Sequence, residues 1–279
     1  MRYLLVFLIA VWVTCSLQAQ DRILLSKATV HIGNGKVIQQ GLVGIKGDEI
    51  VLVENGLAYT VDKTKWDTII DLKGKHLYPG FFAPNSTLGL TEVDAVRATR
   101  DFDEVGKFNP HVRSLIAFNA ESKVISTVKT NGVLYAQATP QGGVISGTSS
   151  IVHMEGWNWE DAAVKRGDGI HLNWPNSFRR GRWWLGEDAG YSPNKEYASN
   201  ITEIKDFMSQ SAAYEAGNTS IKNLPFAAMQ GVLDGSQNLY VHVDSEKEIL
   251  DVLKFKEEMN IDKLVLVGAY RAYKVADEI

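Results

Sequence analysis

Leu72 to Leu90, LKGKHLYPGFFAPNSTLGL, marks the point at which the pattern of the chain changes. Its Lys73-Gly74 and Pro79-Gly80 pairs are strong breakers on either side of the short run His76-Leu77-Tyr78. Upstream, apolar and β-branched runs at Ile23-Leu24-Leu25, Ala28 to Ile32, Leu42 to Ile45, Ile50 to Val53 and Thr68 to Leu72 alternate with Gly33-Asn34-Gly35 and Lys46-Gly47-Asp48. Turn residues recurring at such short intervals predict a small antiparallel sheet or sandwich.

Downstream, strand and helix patterns alternate. A helix from about Glu121 to Thr130 is stopped by Asn131-Gly132 and followed by a buried-type strand, Val133 to Ala138. Asn200 to Glu203 has capping-box spacing and opens a helix carrying Ile201, Ile204, Phe207 and Met208, which Gly217 stops. Pro225 suits the first turn of a shorter helix. Ser245 to Glu248 is a second capping box, placed between the strands Leu239 to Val243 and Leu264 to Val267, and a further helix begins near Tyr270. This βαβα order implies a parallel sheet with helical crossovers. About six barrel strands can be placed, and residues 80–279 fall short of the about 250 typical of a complete (β/α)8 barrel. The chain is therefore expected to end before such a barrel closes.

At the other end, Arg2 precedes the apolar run Tyr3 to Val13, and Ser16 to Gln20 turns small and polar. That run is shorter than the about 20 residues of a membrane span, so residues 1–20 are expected to be an export signal cleaved after Ala19 or Gln20. Cys15 is the only cysteine. Unless it is lipidated, the exported chain has no thiol and no disulfide. The net charge of −4 becomes −5 once Arg2 is removed, with signs mixed along the chain, which argues against a nucleic-acid partner. A small-molecule ligand and a homo-oligomer remain open, and no membrane span follows the signal.

The Pro79-Gly80 junction, a small β domain before it and a strand ending in Leu88-Gly89-Leu90 after it resemble the amidohydrolase superfamily, specifically imidazolonepropionase-like members. The resemblance continues softly through Gly142 to Gly147, Val241-His242-Val243 and Leu264 to Ala276, so it spans nearly all of residues 21–279. It implies an α/β fold: a partial TIM-like (β/α)8 barrel, residues 79–279, preceded by a small β-sandwich domain, residues 21–78. It also implies hydrolysis of carbon–nitrogen bonds other than peptide bonds by a divalent metal such as zinc, held by histidines at strand ends. Metal-bound water of depressed pKa supplies the nucleophile in such sites.

Carried over by position, that ligand set is largely replaced. The first-strand histidines fall on Asn85 and Thr87, the preceding aspartate on Ala83, and the sixth-strand histidine on Gly268; His242 alone matches. Neutral amide and hydroxyl oxygens are poor substitutes for imidazoles toward zinc, so no cofactor is expected to be held by this chain and metal catalysis is in doubt. Asn85 and Thr87 become ligand-binding candidates, and His242 the one metal candidate.

Other clusters leave alternatives open. His153 and Glu155 share a strand face, as part of a relocated site with His242 or as its polar side. Gly142 to Ser150 is a structural loop or an anion cradle. His31, His76, His111 and His171 show no ligand spacing. Five of the seven tryptophans, Trp157, Trp159, Trp174, Trp183 and Trp184, crowd one stretch with Arg179, Arg180 and Arg182. That stretch suits a substrate lid or an interface loop, and Trp183 and Trp184 are its ligand-binding candidates. The alternative to a hydrolase is a non-catalytic exported binding protein using the barrel mouth and this loop.

Overall fold

The computed structural model describes residues 21–186, 188–214 and 222–279. The expected export signal with Cys15, and the expected helix stop at Gly217, lie outside the described residues. The chain divides into two compact units after Pro79.

The first unit is one mixed five-stranded sheet, built from β1 (Arg22–His31), β2 (Val37–Lys46), β3 (Glu49–Asn55), β4 (Thr68–Asp71) and β5 (His76–Leu77). The two expected runs at its start form one strand. Lys27, at φ 62°, makes a bulge between Ser26 and Ala28 and keeps both halves paired with β2. β2 and β3 form antiparallel hairpin neighbours, whereas β4 and β5 both pair parallel with β1. The expected all-antiparallel order therefore fails at β4. The segment after β3 is long enough to carry the chain back across the sheet before pairing, which parallel pairing requires. Ala28, Val30 and Val43 form the buried apolar centre of this unit.

The second unit contains β6 (Phe81–Ser86), α1 (Lys123–Thr130), β7 (Val133–Ala138), β8 (Ile145–His153), α2 (Trp159–Ala162), β9 (Ala163–Asn173), β10 (Phe178–Arg180), β11 (Tyr191–Pro193), α3 (Tyr197–Ala212), α4 (Leu224–Leu233), β12 (Asn238–Val243), α5 (Glu246–Glu258) and β13 (Leu264–Gly268). Six strands form one sheet in the order β13-β12-β9-β8-β7-β6. Five run the same way, but β8 is antiparallel to both neighbours. The connection from β7 to β8 is too short for a helical crossover, so the chain turns back as a hairpin.

Alternation divides the sheet faces. Ile170, Leu172, Leu239, Val241 and Val243 pack with Ile204, Met208, Met229, Ile249, Val252 and Phe255 of α3 to α5. Fully burying such side chains stabilises by about 1.5–3 kcal/mol each. The capping box at Ser245 and Glu248 forms with both its bonds. The one expected at Asn200 does not, because α3 begins at Tyr197. Tyr197 is buried, and its hydroxyl accepts from Trp174 Nε1 (3.1 Å) and donates to Asp251 (2.7 Å), which draws the helix start upstream. The helix expected near Tyr270 is instead two 3-10 turns, Ala272–Lys274 and Ala276–Glu278. No helix among the described residues is long and apolar enough to cross a membrane.

Candidate functional site

On β9 and β12 the residues that alternate with the apolar set, His171 and Asn173, Tyr240 and His242, are polar and line the other face of the sheet. The main-chain N–H of Asn85, a residue held at φ 48°, donates to Gln137 Oε1 (3.0 Å). Gln137 Nε2 in turn donates to Asp168 Oδ2 (3.0 Å) and to Ser149 Oγ (3.2 Å). Asp168 also accepts from Tyr240 Oη (2.5 Å) and from Lys165 Nζ (2.8 Å). The Tyr240 ring stacks on His171 with centroids 4.7 Å apart, and His171 Nδ1 lies 2.9 Å from His242 Nε2. Contacts thus run unbroken from the end of β6 to the end of β12.

The electrostatics follow from burial. Burial alone would raise the Asp168 carboxyl, but the bonds from Lys165, Tyr240 and Gln137 outweigh it and hold the pKa below the usual range. Burial, then the hydrogen bond to the Asp168 carboxylate, push the Tyr240 hydroxyl up to about 12. His171 is 0% exposed, and burial followed by the neighbouring His242 lowers it to about 3 against the pull of Asp168. Burial lowers His242 as well. Both imidazoles are therefore neutral near pH 7.

This arrangement tests the donor set that a divalent ion would need. His171 Nε2 is buried without a partner. A buried orphan N–H is rarer than an orphan acceptor, so His171 is expected to carry its proton on Nδ1 and donate it to His242 Nε2. The lone pair of His242 that a metal would use is then already engaged. Asn85 is exposed, Thr87 is half-buried, and Gly268 offers no side chain. Among the described residues no three His, Cys, Asp or Glu side chains are grouped to hold an ion. These residues do not fit a zinc-type centre.

The remaining candidates separate. His153 Nε2 faces Asp161 O (2.9 Å) and Glu155 pairs with Lys129, so neither joins His242. The Gly142–Gly143 loop is tied down by Asn173 Nδ2, which donates to both its carbonyls and to Ser146 Oγ. His31 and His76 meet at 2.8 Å across β1 and β5, although 45 residues apart. The tryptophans do not form one site. Trp174 is buried against Phe255, Trp159 sits on α2 under Arg166, and Trp157 is 87% exposed. Trp183 and Trp184, 67% and 65% exposed, occupy the tip of the β10–β11 hairpin. That hairpin follows the C-terminal end of β9, and Ser177 at its base gives its N–H (2.6 Å) and hydroxyl (2.8 Å) to Glu248.

Tyr240, Gln137 and Asp168 carry no motif in the sequence, and His171 shows no ligand spacing there. The usable signal was period two: His171 stands between Ile170 and Leu172, and Tyr240 and His242 interleave with Leu239, Val241 and Val243.

No family model matches the chain, and no curated protein sequence matches it. The structure is similar to a crystal structure described as an amidohydrolase from Thermotoga maritima MSB8, with a TM-score of 0.74 and 21% identity. The match covers 91% of this chain and 66% of that one, so this chain spans less than two thirds of its neighbour's length. At that identity the likeness concerns the fold, and the fold of this chain is amidohydrolase-like.

Proposed function

We propose that this chain is an amidohydrolase-like protein of the class that hydrolyses carbon–nitrogen bonds other than peptide bonds, imidazolonepropionase-like in type, with its six-stranded sheet forming part of a TIM-like (β/α)8 barrel. The fold likeness over 91% of the chain supports the class. Such barrels work at the C-terminal ends of their strands, where Asn85, Thr87 and His242 stand. In this chain those ends serve as a ligand-binding mouth and not as a metal-hydroxide centre. The carrying observation is the bond between His171 and His242, which uses the one retained imidazole. Elemental analysis and zinc titration of the full chain test this. Less than one tightly bound ion per chain is expected, and stoichiometric zinc lost in His242→Ala would refute it.

The exposed pair Trp183 and Trp184 favours a second reading, a non-catalytic exported binding protein. Tryptophan faces at the strand-end side suit sugar or aromatic ligands. A ligand found in a glycan and small-molecule screen should bind at least about tenfold more weakly to Trp183→Ala, a change of about 1.4 kcal/mol. Undiminished binding would exclude the hairpin. Export through residues 1–20 and homo-oligomerisation belong to both readings.

A further inference from the structure

We propose that a groove between the Pro110–Ile116 segment and α4 binds a phosphorylated, hydroxyl-bearing small molecule of sugar-phosphate size. The groove encloses about 690 Å³, within the roughly 300–1,000 Å³ of small-molecule sites. One wall is fixed to β8: Arg113 pairs with Thr148 through the backbone, and Thr148 Oγ1 donates to Pro110 O (2.7 Å). The other wall is open because α4 presents Ala227, Ala228 and Gly231 there. The groove lies early in β9, at Lys165 to Gly167, and beside Gln237, which directly precedes β12. It is thus at the opposite end of the parallel strands from Asn173, Val243 and Gly268, and independent of the mouth.

Its charge runs against that of the chain. The protein carries −4 overall, yet Arg113, Lys165 and Arg166 all line this one groove. Lys165 is partly offset by Asp168, while Arg113 and Arg166 are not ion-paired among the described residues. The Arg166 guanidinium lies 5.7 Å from the Trp159 ring centre, which orients it before a ligand arrives. Ser150, buried in the floor, accepts the Gly167 N–H (3.1 Å) and keeps its hydroxyl proton to give. Two guanidinium forks and a buried hydroxyl suit a phosphate dianion. Asp234, on the α4 side, is held ionised by its bonds from Ser236 and would accept from hydroxyls on the body of the ligand. A bare phosphate leaves most of the volume and Asp234 unused.

Calorimetric titration of the full chain with glucose 6-phosphate, inorganic phosphate and glucose tests the assignment. Glucose 6-phosphate should bind, inorganic phosphate more weakly, and glucose not at all. Arg113→Ala/Arg166→Ala should weaken glucose 6-phosphate by at least about tenfold, the loss expected when charge-assisted hydrogen bonds are removed. Ala228→Glu should do the same by filling the groove and adding a negative charge. It reads the site separately should the double variant melt early. Lys36→Ala/Lys46→Ala, which lowers the net charge equally from the other unit, should bind as the parent does. The proposal is overturned by absent binding, by binding equal in the groove variants and the parent, or by inorganic phosphate binding as tightly as glucose 6-phosphate.

Discussion

Asp168 holds the polar face of the second unit together, and its replacement by Ala and by Asn should separate two contributions. The carboxylate is buried and accepts three bonds, two at Oδ2 from Gln137 and Tyr240 and one at Oδ1 from Lys165. Alanine removes both acceptor oxygens, and with them all three bonds, and strands the Tyr240 hydroxyl and the Gln137 amide. Leaving buried partners unsatisfied costs about 1–3 kcal/mol each, so a total of about 3–5 kcal/mol is expected. Asparagine with its oxygen in the Oδ2 position keeps the two buried bonds and loses only the pair with Lys165. Because that lysine is largely exposed, solvent screening limits its share to about 0–1 kcal/mol. Placing an amide N–H₂ beside the ammonium adds a little more, so Asp168→Asn should cost about 1–2 kcal/mol. Urea unfolding followed by tryptophan fluorescence is the assay, since five of the seven tryptophans lie in residues 80–279. An Ala variant within about 1 kcal/mol of the parent, or an Asn variant as unstable as Ala, would refute the reasoning.

Acid should act on the same face at a distinguishable pH. The folded pKa of His171, about 3, lies below the ordinary imidazole value of 6.5, so its stabilisation is complete above about 6.5 and is lost progressively as pH falls toward about 3. One such group contributes a slope of up to about 1.4 kcal/mol per pH unit. Stability measured between about pH 6.5 and about pH 4.5, above the carboxylate range, should fall less steeply in His171→Asn than in the parent, and equal slopes would count against a buried neutral imidazole. In the first unit, a Cβ on Gly44 would lie 2.1 Å from Trp66 Cη2 and 2.9 Å from Leu52 Cβ. Gly44→Ala should therefore destabilise that unit by about 1–3 kcal/mol and be partly rescued by Trp66→Leu; an unchanged melt of the single variant would contradict the packing.

Local patterns were legible where the forces are local. Turn residues placed the strands of the first unit, and Ser245 with Glu248 announced a capping box that forms as spelled. Asn200 and Glu203 carry the same spelling, yet they lie inside α3, because the contacts of Tyr197 with Trp174 and Asp251 outweigh a cap worth about 1 kcal/mol. The antiparallel course of β8 was not legible, since apolar alternation carries no strand direction. Nor were the histidine pairs: His171 and His242 stand 71 residues apart and meet only through the pairing of β9 with β12. Spacing along the chain finds ligands on one element, and these groups sit on different strands.

That Asn85, Thr87 and Gly268 carry no imidazole reaches further than a ligand count. Asn85 and Thr87 at the end of β6 are neutral, and among the described residues no cluster of ligands draws the lone pair of His242 outward. The half-buried imidazole of His242 takes its partner from His171 instead, at 2.9 Å. At the end of β13, Gly268 sits at φ 82°, where a Cβ would also press to 3.2 Å from Val243 O. A histidine there would be strained by roughly 1–2 kcal/mol before it met any metal. The sheet end is thus committed twice, through a side chain already bonded and through a backbone that only glycine occupies without strain. Introducing one histidine would leave the other commitment intact. The strand ends consequently present neutral donors and acceptors held by a buried polar network, an arrangement suited to orienting a polar ligand by hydrogen bonds.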